Sequence, residues 1–148
     1  LSHNRMELEM NRIQRIDKVL PDDLIEQVHE VISGVPWRYG WNSNRSIEFT
    51  HWNHSFAKAG ALNTLDVSDE ITGPIRAAWD YIQQNITGPA QLLRCYTNSH
   101  TFGVEGYPHT DSKRGVDKTI LIYMTPNWQR NWGGETVIYH GNEIAHAG

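Results

Sequence analysis

The sequence predicts an α+β fold, with helices packed outside a mainly antiparallel β-sandwich or barrel. Two apolar stripes at helical spacing occupy the first 90 residues. From Gln91 onward short apolar runs replace them, at Leu92 to Tyr96, Thr119 to Met124 and Glu135 to Tyr139. Gly-, Pro- and Asn-rich turns separate those runs too closely for crossover helices, so hairpins or longer loops join them. A chain of 148 residues is one domain's worth and long enough to bury a core. We read 1–148 as a single domain, with 1–90 as a supporting helix-and-strand part and 91–148 as the β-rich part.

Residues 11 to 20 read as an opening strand with Ile13, Ile16 and Val19 partly buried. Pro21-Asp22-Asp23 starts the first helix. Asp23 with Glu26 resembles a capping box, and acidic residues suit the positive end of the helix dipole. Leu24, Ile25, Val28, Val31 and Ile32 recur at helical spacing until Gly34 and Pro36. Trp37 to Trp41 and Ile47 to Trp52 alternate like half-buried strands around an Asn/Ser turn. A second helix is expected over 69 to 85. Pro74 falls in its first turns, Ile75, Ala78, Trp79 and Ile82 form its apolar stripe, and Gly88-Pro89 breaks it.

Composition narrows the function classes. Hydrophobic residues at 39% and charged residues at 20% are ordinary globular values, which excludes wholesale disorder. A net charge of −4 offers no broad cationic surface, so a nucleic-acid partner is not expected. No stretch approaches a membrane-spanning length, and the polar N-terminus lacks a signal-peptide core. The single Cys95 forbids an internal disulfide, so a reducing, cytoplasmic setting is expected.

Chemistry concentrates at Tyr107-Pro108-His109-Thr110-Asp111. On a strand, residues i and i+2 face one side, so an imidazole and a carboxylate converge on one ion. That is two-thirds of the 2-His-1-carboxylate triad that binds non-haem Fe(II) with open coordination positions. Spacing alone carries little: with 8 His in the chain and as many Asp, chance supplies about 0.4 His-x-Asp matches. The bland alternative is a surface turn holding an unrelated His.

Context carries more. Cys95-Tyr96, a Gly-containing loop, Tyr107, His109-Thr110-Asp111, the polar loop Ser112 to Lys118, Ile120 to Met124, Pro126-Asn127-Trp128 and Gly133-Gly134-Glu135-Thr136 follow one another in order. This series resembles the catalytic core of prolyl-4-hydroxylase-like 2-oxoglutarate oxygenases. The resemblance implies a double-stranded β-helix, or jelly roll, flanked by N-terminal helices. It also implies Fe(II) and 2-oxoglutarate, with ascorbate as a candidate auxiliary. His109 and Asp111 match the iron ligands, and Tyr96 and Tyr123 match positions lining the 2-oxoglutarate pocket. For either Tyr the alternative is a half-buried core aromatic. The implied substrate is a peptidyl prolyl or similar side chain, with a small molecule as the variant reading; O2 is consumed and succinate and CO2 are released.

The family's second iron His and its basic 2-oxoglutarate anchor would lie beyond Gly148. The resemblance therefore implies an incomplete copy without the last core strands. His140 or His146 bending back is a weaker substitute for the third ligand, His146 being placed in a Gly-flanked tail. A catalytically dead binding module is the remaining reading of the missing ligand. Cys95, facing away from Tyr96, is expected to act as a small apolar residue. His51, His54 and His100 read as exposed or hydrogen-bonded rather than as a second metal cluster. Trp37, Trp41 and Trp52 could form an aromatic wall. Two alternatives from other classes remain open: a non-catalytic β-sandwich binding domain using that Trp-rich surface, and a cupin-like metal enzyme that ignores 2-oxoglutarate.

Overall fold

The computed structural model describes residues 13–42, 49–58 and 64–147. The described residues form a mixed α/β structure with antiparallel sheets and two α-helices. The described residues divide into two compact units, one within Leu20–Gly133 and one made of residues 13–19 and 134–147.

The larger unit begins with α1 (Asp22–Gly34). Its first hydrogen bond runs from the Ile25 amide to the Pro21 carbonyl at 2.9 Å. Pro21 is the N-cap and no side chain caps the helix, so the expected capping box at Asp23 does not form. Asp22 and Asp23 nonetheless sit in the first turn, where the dipole favours them. Val35 is extended, as a residue before proline should be, and ends the helix. The Trp37 indole then donates to the Ile32 carbonyl at 3.1 Å, satisfying an acceptor the helix leaves open.

The second helix, α2 (Gly73–Ile82), is shorter than the expected 69 to 85. A 3-10 turn at Ser68–Glu70 precedes it and a π-turn at Gln83–Thr87 follows it. Pro74 lies in the first turn, where a missing N–H costs nothing. Gly88 ends the run at φ +70, a conformation that L side chains rarely adopt. The stripe behaves as its spacing requires: Ile75, Ala78 and Ile82 are buried. They join Leu20, Val28, Ala57, Val67 and Ile71 in the core, where α1 packs on α2. Arg76 holds the helix entry, donating to the Ser68 carbonyl and to Asp80, each at 2.9 Å.

Three strands form one antiparallel sheet in the order β1 (Arg38–Trp41), β2 (His51–Ala57), β3 (Cys95–Ser99). The sheet begins later than its sequence suggests: Phe49 lies in a helical turn and pairing starts at His51. Ile47, Glu48 and the Asn/Ser turn lie outside the described residues. Register sets the two faces. Tyr39, Trp52 and Ser99 stand opposite one another, and so do Arg38, Asn53 and Asn98. A bulge between Tyr39 and Trp41, at Gly40 with φ +117, places Trp41 opposite His51. The aromatic wall is therefore split: Tyr39, not Trp37 or Trp41, meets Trp52, with ring centroids 5.2 Å apart.

Two further strand expectations fail. Segment 13–20 is irregular, with Lys18 at φ +54 and Ile16 exposed. Segment 119–124 pairs with no strand among the described residues, and Leu121 and Tyr123 are exposed. Apolar residues mark a run as able to join a sheet, but a ladder partner is what makes it a strand.

In the smaller unit, β4 (Val137–His140) and β5 (Glu143–Ala147) form an antiparallel hairpin around Gly141. His140 continues the strand beyond Tyr139 as expected. His146 belongs to β5, opposite Ile138, and not to a loose tail. No helix among the described residues is long and apolar enough to cross a membrane.

Candidate metal centre

His109 and Asp111 lie in an irregular segment, not on the strand expected for them. They converge all the same. Nε2 of His109 stands 3.5 Å from Oδ1 of Asp111. Two donors about 2.1 Å from one ion subtend an ordinary coordination angle at that separation. The loop supplies by hydrogen bonds what a pleat would have supplied by periodicity.

The imidazole is fixed from behind. Its Nδ1 lies 2.7 Å from the Tyr107 carbonyl, which can only accept, so Nδ1 carries the proton. That leaves Nε2 as the ring atom facing the carboxylate oxygen Oδ1. A backbone carbonyl on the distal nitrogen is the usual arrangement behind a metal-bound His. The Tyr107 ring docks on Phe49, just ahead of β2, at 5.4 Å between centroids.

The carboxylate is held from two sides. Oδ2 of Asp111 accepts from the Thr119 hydroxyl at 2.7 Å. Oδ1 receives Nη2 of Arg94 at 3.1 Å, and the same nitrogen lies 3.3 Å from the Asp111 carbonyl. The Arg94 guanidinium also stands over the Tyr96 ring, 5.6 Å from its centroid. Arg94 precedes β3 by one residue, and its position at i−2 from Tyr96 is what puts both on one side. The site is half-open: Asp111 is 29% exposed at its side chain and His109 40%.

Tyr96 thus joins the pair through Arg94, whereas Tyr123 stands exposed in segment 119–124. Burial pushes the Tyr96 phenol above its ordinary value; Arg94 opposes that shift and Asp111 adds to it. Cys95, half-buried on the other side of β3, has its thiol pushed up to about 11 by burial, in keeping with an apolar role. The sheet face that carries Tyr96 continues through Ser55, Asn53 and Asn98 to His51 and His100. Asn53 donates to Asn98 at 2.7 Å. His51 is buried and stacks on His100 with centroids 4.3 Å apart. His54 instead meets Phe56 edge-on, so no cluster of three forms there.

Among the described residues, no group of three His, Cys, Asp or Glu side chains is placed to hold a metal. His109 and Asp111 fit a divalent ion as a pair, by donor chemistry, separation and tautomer. Sequence reading missed Arg94 and Thr119. An Arg two residues before Tyr96 was the available signal for the first; nothing in the sequence marked the second. Compared with protein-family models, curated proteins and solved structures, the chain matches none of them.

Proposed function

We propose that this chain is part of a 2-oxoglutarate- and Fe(II)-dependent dioxygenase that hydroxylates a peptidyl prolyl or similar side chain. The observation that carries the reading is the His109 Nε2 to Asp111 Oδ1 approach at 3.5 Å, with Nδ1 committed to a backbone carbonyl. The ordered resemblance from Cys95 to Thr136 supplies the reaction class. On this reading the three-stranded sheet is a portion of a double-stranded β-helix.

Each residue then has a task. His109 offers Nε2 and Asp111 offers Oδ1 to the ion, and the Thr119 hydroxyl fixes the carboxylate by holding Oδ2. Tyr96 keeps its proton at neutral pH, since burial raises its phenol, and so remains a donor toward a carboxylate co-substrate. Fe(II) with a bound 2-oxoacid would supply the O2 activation that hydroxylates the substrate carbon. Ascorbate is the auxiliary reductant consistent with that chemistry.

An anaerobic titration separates this reading from its competitors. Adding Fe(II) and 2-oxoglutarate should raise a weak visible charge-transfer band that His109→Ala abolishes. A non-catalytic module using the exposed Tyr39–Trp52 pair gives no band. A cupin-like enzyme binds metal indifferently to 2-oxoglutarate. The titration is made on the full-length protein, and absence of the band there sinks the proposal.

A further inference from the structure

We propose that Arg94 is a loading gate for the His109–Asp111 pair, its guanidinium holding the carboxylate oxygen that an incoming divalent cation has to take. The inference rests on the metal-binding reading above and adds a control over how that site fills.

The geometry is specific about which oxygen is contested. Asp111 has one oxygen committed to Thr119, at 2.7 Å, and that oxygen is Oδ2. The other, Oδ1, is the one facing His109 Nε2 at 3.5 Å, so an ion bridging imidazole and carboxylate must bind there. Arg94 Nη2 is already on it at 3.1 Å. Charge reinforces the competition. One guanidinium cancels one carboxylate, so the approaching cation meets a neutral pair instead of an anion. A cation left beside that guanidinium would also meet a like charge.

The guanidinium has somewhere to go. Nη2 also reaches the Asp111 backbone carbonyl at 3.3 Å, and the group lies over the Tyr96 ring at 5.6 Å. Both contacts survive if Nη2 releases Oδ1, because neither uses the carboxylate. Opening is therefore a short shift on an existing seat, not expulsion into solvent. The ring face attracts the guanidinium and keeps the arm nearby. An arginine serving only as a strut would behave differently. Removing a strut loosens Asp111 and weakens metal binding; removing a gate strengthens it.

The sign of the change is the test. Mn(II) is titrated into the full chain, with loss of the free-ion EPR signal as the readout, for the unsubstituted protein, Arg94→Gln, Arg94→Lys and His109→Ala. Arg94→Gln should bind Mn(II) roughly tenfold more tightly, one competing unit charge having been removed from beside the ligand oxygen. Arg94→Lys, which keeps the charge, should stay close to the unsubstituted protein, and His109→Ala should lose binding. If Arg94→Gln fails to fold by circular dichroism, Arg94→Met makes the same measurement with the stem packing retained. Equal or weaker binding in the neutral variant, with His109→Ala still abolishing it, overturns the gate and leaves the metal pair standing. No binding by either the unsubstituted or the neutral protein overturns both.

Discussion

His109 turns its Nδ1 onto the carbonyl oxygen of Tyr107, two residues earlier, at 2.7 Å. The same device recurs at His51, whose Nδ1 lies 3.3 Å from the Phe49 carbonyl, and the rings of Phe49 and Tyr107 touch. Two imidazoles are thus oriented by backbone two residues upstream, and the two anchoring aromatics pack together. The His109 ring is steered by its own loop, and that loop is steered by Phe49.

Loosening the anchor should therefore weaken metal binding without touching a ligand. Tyr107→Ala removes the contact with Phe49 and frees the carbonyl that holds Nδ1. Mn(II) affinity should fall by about tenfold, the scale on which groups behind a metal ligand act. Tyr107→Phe keeps the ring and should bind normally. Equal affinities in all three proteins would show that the loop holds its shape without Phe49.

Thr119→Val tests the grip on Oδ2 of Asp111. The change keeps the shape and removes the donor at 2.7 Å. Mn(II) affinity should drop by about tenfold. Thermal stability should change little, since the hydroxyl is exposed and such a bond contributes about 0.5–1.5 kcal/mol. A large loss of stability with unchanged affinity would make Thr119 a folding residue instead.

The helical stripe should be the most sensitive part of the molecule. Ile82 is 4% exposed and faces the core shared by the two helices. Ile82→Ala should cost about 2–5 kcal/mol, from lost burial and the cavity left behind, measured by urea unfolding. Substitution of the exposed Ile144 by Ala should cost far less.

The stacked histidines predict an acid-sensitive sheet. Burial, and secondarily His51, hold the His100 imidazole below its ordinary value of 6.5. The unfolded chain then binds a proton that the folded chain resists, so stability falls as pH drops through 6.5 toward the lower folded value. Melting temperature should decline over that window and decline less in His100→Asn. Identical pH profiles would remove His100 from the account.

Cys95 should be nearly inert in the folded protein. With its thiol at about 11, little thiolate exists at mild pH, and the side chain is half-buried. Reaction with a disulfide reagent at pH 8 should be slow, rising to the free-thiol rate in denaturant. Fast labelling of the native chain would contradict the packing at β3.

The helices were legible because helical periodicity is a local property. Leu24 to Ile32 and Ile75 to Ile82 advertise an apolar stripe, and Gly88 and Pro36 punctuate it, whatever lies across the core. The existence of β1, β3 and β4 was legible for the same reason. Strand limits were not, because a ladder belongs to two segments at once: His51–Ala57 is a strand by virtue of β1 and β3, while Thr119–Met124 reads as a strand and has no described partner. At the site, sequence alone chose the chemistry, an imidazole and a carboxylate two residues apart in an ordered context from Tyr96 to Thr136. Only the tertiary structure decided how they meet. The convergence of His109 and Asp111 is built by the Tyr107 carbonyl and, for Asp111, by a threonine eight and an arginine seventeen residues away along the chain, which no local pattern encodes. Hydrogen bonds between distant segments depend on where the backbone has already been placed by packing, and that placement is a property of the whole fold.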